Sequence, residues 1–235
     1  MTTHEARKWT IVRETWLTRK PSSESAWVAV VATLALALGS LSAWTWTSVS
    51  DWARASAHSV FTSHQYWRLW TTIFVHSDLN HLLSNSFLFF ILAFFLFGHF
   101  GSLVFPVAAL FLGGIANAFS LMTYKPEIEL VGASGVVYWM GGAWLVLYFF
   151  LSRQKNTFHR AMRTFGVALL LFAPADTFQP NVSHRTHLSG FLIGVLFGVL
   201  YYWFNRHLFK SAEVVETIID DDPEDELPPI EGLSH

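Results

Sequence analysis

Ser134 stands in Gly132-Ala133-Ser134-Gly135, where a polar loop (124–129) gives way to the apolar run from Gly135 to Leu151. A hydroxyl at that place does little for solubility. It can serve as a small contact between helices, or as a nucleophile. A serine is a poor nucleophile until a base takes its proton, and neutral imidazole is the usual base near pH 7. Thr186-His187-Leu188-Ser189-Gly190 supplies such a base at the head of another apolar run. Gly190, Gly194 and Gly198 recur every four residues, which makes a flat ridge on a helix, and Gly141 can meet a similar surface. Close packing of those two helices would bring His187 within hydrogen-bonding reach of Ser134. Acyl transfer also needs donors for the oxyanion. The free N–H groups of a helix beginning at Ser134 are one source. His81 and Asn85, spaced i and i+4 on one helical face, are another. His76, five residues before His81, reads equally well as a hydrogen-bonding residue that holds helices together.

These residues need a scaffold that sets their depth. The chain has 235 residues, of which 52% are hydrophobic and only 14% charged. Soluble domains carry about 25% charged residues, so the composition is that of a membrane protein. Six apolar segments fall near 26–47, 79–97, 102–123, 134–151, 163–178 and 187–205. Each is close to the ~20 residues that cross ~30 Å of hydrocarbon, although the fifth is short. Gly98 to Gly101 is a very short connection, so the second and third spans form a hairpin. The connection from Ser48 to Ser77 is long and mixes Trp52, Tyr66, Trp67 and Trp70 with Arg54 and Arg68. Such aromatics sit at a membrane interface, and the segment reads as a partly embedded loop.

Orientation follows from basic residues. With the N-terminus in the cytoplasm, eleven Lys and Arg residues lie inside and four (Arg54, Arg68, Lys125, Arg185) outside. That asymmetry fits six spans with both termini cytoplasmic. The fourth and sixth spans then both begin on the external side. Ser134 to Leu151 is ~27 Å of helix, which places Ser134 slightly below the external boundary and His187 at the same level.

Three parts are expected: a basic N-terminal segment (1–25), a membrane core (26–205) and an acidic tail (206–235). Trp9, Val12 and Trp16 recur at helical spacing, so the first part offers either a short interfacial helix or a solvated tail. The tail carries Asp220, Asp221, Asp222, Glu224, Asp225 and Glu226 and is expected to be disordered and cytoplasmic. The first apolar run is long enough to stay in the membrane rather than act as a cleaved leader. The absence of cysteine removes disulfides, thiolate metal sites and a cysteine nucleophile. Net charge of −2 argues against a nucleic-acid partner. No H-E-x-x-H pattern marks a metalloprotease. Asp78 and Asp176 fall at helix ends, unlike a buried aspartyl pair. Val136 stands where a soluble G-x-S-x-G hydrolase has glycine.

Taken together, Trp67-Arg68, His76-x4-His81-x3-Asn85, Gly132-x-Ser134-Gly135 with Tyr138, and His187-x2-Gly190-x3-Gly194 resemble the rhomboid intramembrane serine proteases. The resemblance spans about Trp27 to Asn205. It implies an all-α, polytopic membrane protein with the six-transmembrane-helix rhomboid fold, of the bacterial type and in a cytoplasmic (inner) membrane. It implies a serine endopeptidase with Ser134 as nucleophile and His187 as base, needing no cofactor and no metal. His81 and Asn85 would assist the oxyanion, Tyr138 would stack on His187, Arg68 would brace the first external loop, and His76 would lie beneath that loop. Gly132 and Gly190 belong to the same motifs. The expected partners are membrane lipid and single-pass transmembrane substrates, reached laterally between the second and fifth helices. A cavity lined by His64, Gln65, Ser77, Asp78 and Ser183 would hold water. The glutamate often found near the inner end of the second helix is missing, and His99 stands there instead. The rival within the same superfamily is a non-catalytic protein that binds transmembrane clients; such proteins lack the serine or the histidine.

Overall fold

A computed structural model describes residues 7–153, 156–172 and 183–220. Five helices among them are long and apolar enough to cross a bilayer. In chain order the helices are α1 (Ser25–Thr45), α2 (Thr47–Ala53), α3 (Arg68–Thr71), α4 (Leu79–Phe100), α5 (Ala109–Leu121), α6 (Ser134–Leu151), α7 (Thr157–Phe172) and α8 (His184–Ser211). The five spans are α1, α4, α5 with the helical turn that precedes it, α6 and α8. The expected fifth span at 163–178 is met by α7 only as far as Phe172, and 173–178 lie outside the described residues.

Helix ends follow local chemistry. The Asp78 carboxylate caps α4 by accepting from the His81 N–H at 2.9 Å. Gly101, at φ +77°, ends it in a conformation that side chains resist. Ser183 caps α8, so that helix starts at His184 and carries His187 in its first turn. At 28 residues α8 also runs further at both ends than the sequence suggested, reaching ~42 Å.

α6 is the most enclosed span, and it packs most extensively on α8. A Cβ on Gly190 would lie 2.2 Å from the Gly135 carbonyl oxygen, and one on Gly194 would lie 2.1 Å from that of Trp139. Only glycine admits such backbone proximity, so the four-residue repeat works as a contact ridge. On the α6 side Gly142 meets this ridge: its Cβ would lie 2.5 Å from the Phe191 carbonyl oxygen.

The connection between α1 and α4 is folded. α2, α3 and a two-residue strand β2 (Ala55–Ser56) build it, and β2 pairs antiparallel with β3 (Glu129–Leu130). Ala55, Val60, Leu69, Leu121 and Leu130 form a small apolar cluster beneath it. Trp46, Trp52, Tyr66 and Trp67 remain exposed, as interfacial aromatics do.

Two expectations at the termini are corrected. Residues Arg7–Glu14 form a strand, β1, not a helix, and it pairs antiparallel with β4 (Val214–Asp220). Thr10-Ile11-Val12 and the Val-Val-x-Thr-Ile-Ile run of β4 are β-branched, and such residues favour a pleated partner over a helix. The helical spacing of Trp9, Val12 and Trp16 is overridden by that pairing. The tail is therefore structured as far as Asp220, and 221–235 lie outside the described residues. Between β1 and α1, the Trp16 indole donates to the His99 carbonyl at 2.7 Å, which ties the N-terminal segment to the C-terminal end of α4, where the expected glutamate is absent.

Candidate active site

The N-terminal ends of α4, α6 and α8 meet at one level. Ser134 opens α6 and is 7% exposed. Gly132 turns the chain into it at φ +110°. A Cβ on Gly132 would lie 2.7 Å from the His81 imidazole, so that ring rests directly on the turn before Ser134. On the other side, Tyr138, one turn after Ser134 on the same face, stacks on His187 with ring centroids 3.9 Å apart and planes within 12°. Gly190, three residues after His187, abuts Gly135, the residue after Ser134. Serine and histidine, distant in sequence, are thus carried to neighbouring positions by two flush helices. Among the described residues no hydrogen bond joins them, and His187 Nδ1 is buried without a partner. A cavity of about 310 Å³ opens at Tyr138, His187, Leu188 and Phe191. A larger one, about 370 Å³, lies at the opposite end of α4 and α6 near His99 and Trp144.

His81 and Asn85 lie one turn apart on α4. The Asn85 amide donates to the His81 carbonyl at 3.1 Å and keeps its second N–H. The Ser77 hydroxyl donates to Asp78 at 2.7 Å and lies 3.1 Å from His81 Nδ1. With that hydroxyl proton on Asp78, Nδ1 of His81 carries its own. If Ser77 turns to donate to Nδ1, the ring proton moves to Nε2, on the side of Gly132. The His81 N–H, then the Ser77 hydroxyl, hold the Asp78 carboxyl below the usual carboxylate range.

His76 is 2% exposed, and burial pushes its imidazole down to about 3, with His81 adding to the shift and Asp78 opposing it. Its Nε2 accepts from the Ala133 N–H at 3.2 Å. Arg68 donates to the Asp51 and Arg54 carbonyls and to Gln65, all within the connection between α1 and α4. The expected water-holding lining divides. Ser77 and Asp78 stay beside His81, but Gln65 is taken by Arg68, His64 by Tyr66, and Ser183 by Tyr124 and Thr186.

Sequence reasoning missed Ser40, Thr72, Asn117, Ser120 and Thr186, all buried polar residues. Thr72 holds the loop before Ser134 through Leu130 and Gly132, and Thr186 bonds Ser120 at 2.6 Å. Their signal was polarity inside apolar runs, weak for single hydroxyls that can also bond their own helix.

Fold and site together define a polytopic helical membrane protein with a buried serine at the head of its most enclosed span and an imidazole brought to it by a neighbouring span. A sequence model of the Rhomboid domain matches residues 63–204, and the chain belongs to the rhomboid family. It is 31% identical over 137 residues to "Putative rhomboid protease YdcA" of Bacillus subtilis (strain 168), covering 58% of this chain and 67% of that protein. It is 27% identical over 132 residues to "Putative rhomboid protein L523" of Acanthamoeba polyphaga mimivirus, covering 54% and 71%. The protein is an integral membrane protein of a family whose members are usually serine intramembrane proteases acting on membrane proteins.

Proposed function

We propose that this protein is an intramembrane serine endopeptidase working with a Ser134–His187 dyad on single-pass membrane proteins, near the external boundary of a bacterial inner membrane, with both termini cytoplasmic. The observation that carries the reading is the Tyr138–His187 stack, 3.9 Å between centroids. It fixes the imidazole plane on the helical face that also bears Ser134.

His187 takes the Ser134 proton as Oγ attacks the scissile carbonyl carbon. The oxygen of that carbonyl becomes an oxyanion at the head of α6. The Ser134 N–H, the second Asn85 N–H and His81 Nε2, once protonated, supply the donors. The imidazolium then gives its proton to the leaving amine, and an acyl-enzyme remains. Water, deprotonated by the neutral imidazole, attacks that ester and releases the acid. Tyr138 orients the ring, since His187 Nδ1 has no partner among the described residues. A substrate helix must unwind first, because its paired backbone amides are poor targets. The glycines around Ser134 leave a shallow site suited to small residues at the cut.

The test is a gel assay in detergent micelles with a generic single-pass substrate. Cleavage by the parent and by neither Ser134→Ala nor His187→Ala is expected. Undiminished cutting by Ser134→Ala removes the dyad. Binding of the substrate without cutting by the parent supports a client-binding rhomboid-like protein instead.

A further inference from the structure

The loop that delivers Ser134 is held from α1, an element that does not itself reach the serine. A Cβ on Gly39 would lie 2.4 Å from the Phe74 carbonyl oxygen, so α1 lies flush against the chain entering His76. The Trp44 indole donates to the His76 carbonyl at 2.7 Å, and Ser40 Oγ lies 2.9 Å from His76 Nδ1. On the opposite edge of the ring, Nε2 meets the Ala133 N–H at 3.2 Å.

Proton bookkeeping at the imidazole has one solution. A backbone N–H can only donate, so Nε2 accepts and, in the neutral ring, the proton sits on Nδ1. That N–H donates to Ser40 Oγ, whose own proton goes to a backbone carbonyl, that of Leu36 at 2.9 Å in preference to that of Phe74 at 3.3 Å. Ser40 is fully buried and His76 nearly so, and in such a place an unmatched donor is costly.

We propose that Ser40 and His76 are positioning residues whose relay, Ala133 N–H to His76 to Ser40 to the Leu36 carbonyl, fixes the peptide before Ser134 and so aims the Ser134 N–H at the oxyanion. This rests on the reading of Ser134 as nucleophile. Thr72 secures Leu130 and Gly132 in the same loop, and the relay secures the next residue. The charged or titratable groups beside His76 are His81, edge-on at 5.0 Å between centroids, and Asp78; Ser40 and Trp44 from α1 carry no charge. The neutral relay therefore persists through the physiological range. Removing the Ser40 hydroxyl leaves Nδ1–H unmatched and admits the other tautomer, which sets two donors against each other at Ala133.

The experiment pairs cleavage kinetics with nitrogen-15 spectra of histidine-labelled full-length protein, the His76 resonances being identified by their loss in His76→Gln. Nδ1–H is expected in the parent and a mixture in Ser40→Ala. Ser40→Ala should lose about tenfold in kcat with KM changed less than about twofold, and Ser40→Thr should regain most of the loss. An Nε2–H ring in the parent, or parental kcat in Ser40→Ala, overturns the relay. Should Ser40→Ala fail to fold, His76→Gln, whose side-chain oxygen can still accept from Ala133, is expected to exceed His76→Leu by about tenfold; equal rates overturn the relay as well. A parent that cleaves nothing sinks the dyad reading, while the tautomer in the spectrum still decides the relay.

Discussion

The Tyr138 ring covers the His187 imidazole at 3.9 Å, nearly parallel, from a helix that touches the histidine's helix backbone to backbone. In the proposed dyad, which lacks a carboxylate to orient the base, this stack is what holds the imidazole plane.

Tyr138→Phe keeps the ring and is expected to retain kcat within about threefold. Tyr138→Ala removes a contact worth about 0.5–1.5 kcal/mol, and kcat should fall up to about tenfold while substrate binding is preserved. Single-turnover cleavage separates the two effects. Equal activity of the Phe and Ala variants would mean that the ring does not orient His187.

Asn85 keeps one amide N–H for the proposed oxyanion while the other holds the His81 carbonyl. Asn85→Ala is expected to lower kcat on the order of 10²-fold, as loss of one oxyanion donor does, with KM little changed. An unchanged kcat would assign Asn85 to holding α4 together and leave the oxyanion to the Ser134 N–H and His81.

His76 gives stability a pH dependence of definite sign. Its imidazole titrates near 6.5 when unfolded and near 3 when folded. The unfolded chain therefore binds the proton first as pH falls. The contribution of His76 is intact above about pH 6.5 and is lost progressively toward about pH 3. The unfolding midpoint in detergent should drop between about pH 7 and pH 4, and His76→Gln should flatten that slope. The same slope in both proteins would place the acid sensitivity elsewhere.

The spans and the level of the site were legible because hydrocarbon imposes a length and topology fixes which helices begin together. Ser134 and His187 were singled out for that reason, and the glycine ridge is seen in contact with α6. The β1–β4 ribbon was hidden: it pairs Arg7–Glu14 with Val214–Asp220 across nearly the whole chain, and no local period announces a partner so remote. The tail was judged by its aspartates, while its preceding Val-Val-Glu-Thr-Ile-Ile run carried the structure. Ser40 escaped notice because a serine in an apolar helix commonly bonds only its own backbone, and here it bonds His76 as well.

The glycines of α8 and α7 make opposite predictions for one substitution. On α8, Gly190→Ala must place a methyl 2.2 Å from the Gly135 carbonyl oxygen, and Gly194→Ala one 2.1 Å from that of Trp139. Backbone cannot yield locally there, so the helices must separate. Each change should cost about 3 kcal/mol, the upper end for overpacking, and Gly190→Ala should also reduce cleavage by drawing His187 away from Ser134. On α7, a Cβ at Gly166 meets nothing within 4 Å among the described residues. Gly166→Ala should instead stabilise by about 0.5–1 kcal/mol through lost backbone freedom in the unfolded chain. Equilibrium unfolding by denaturing detergent in mixed micelles measures all three. A Gly190→Ala protein as stable as the parent would mean that α6 and α8 are not in backbone contact, and the meeting of Ser134 with His187 would lose its support.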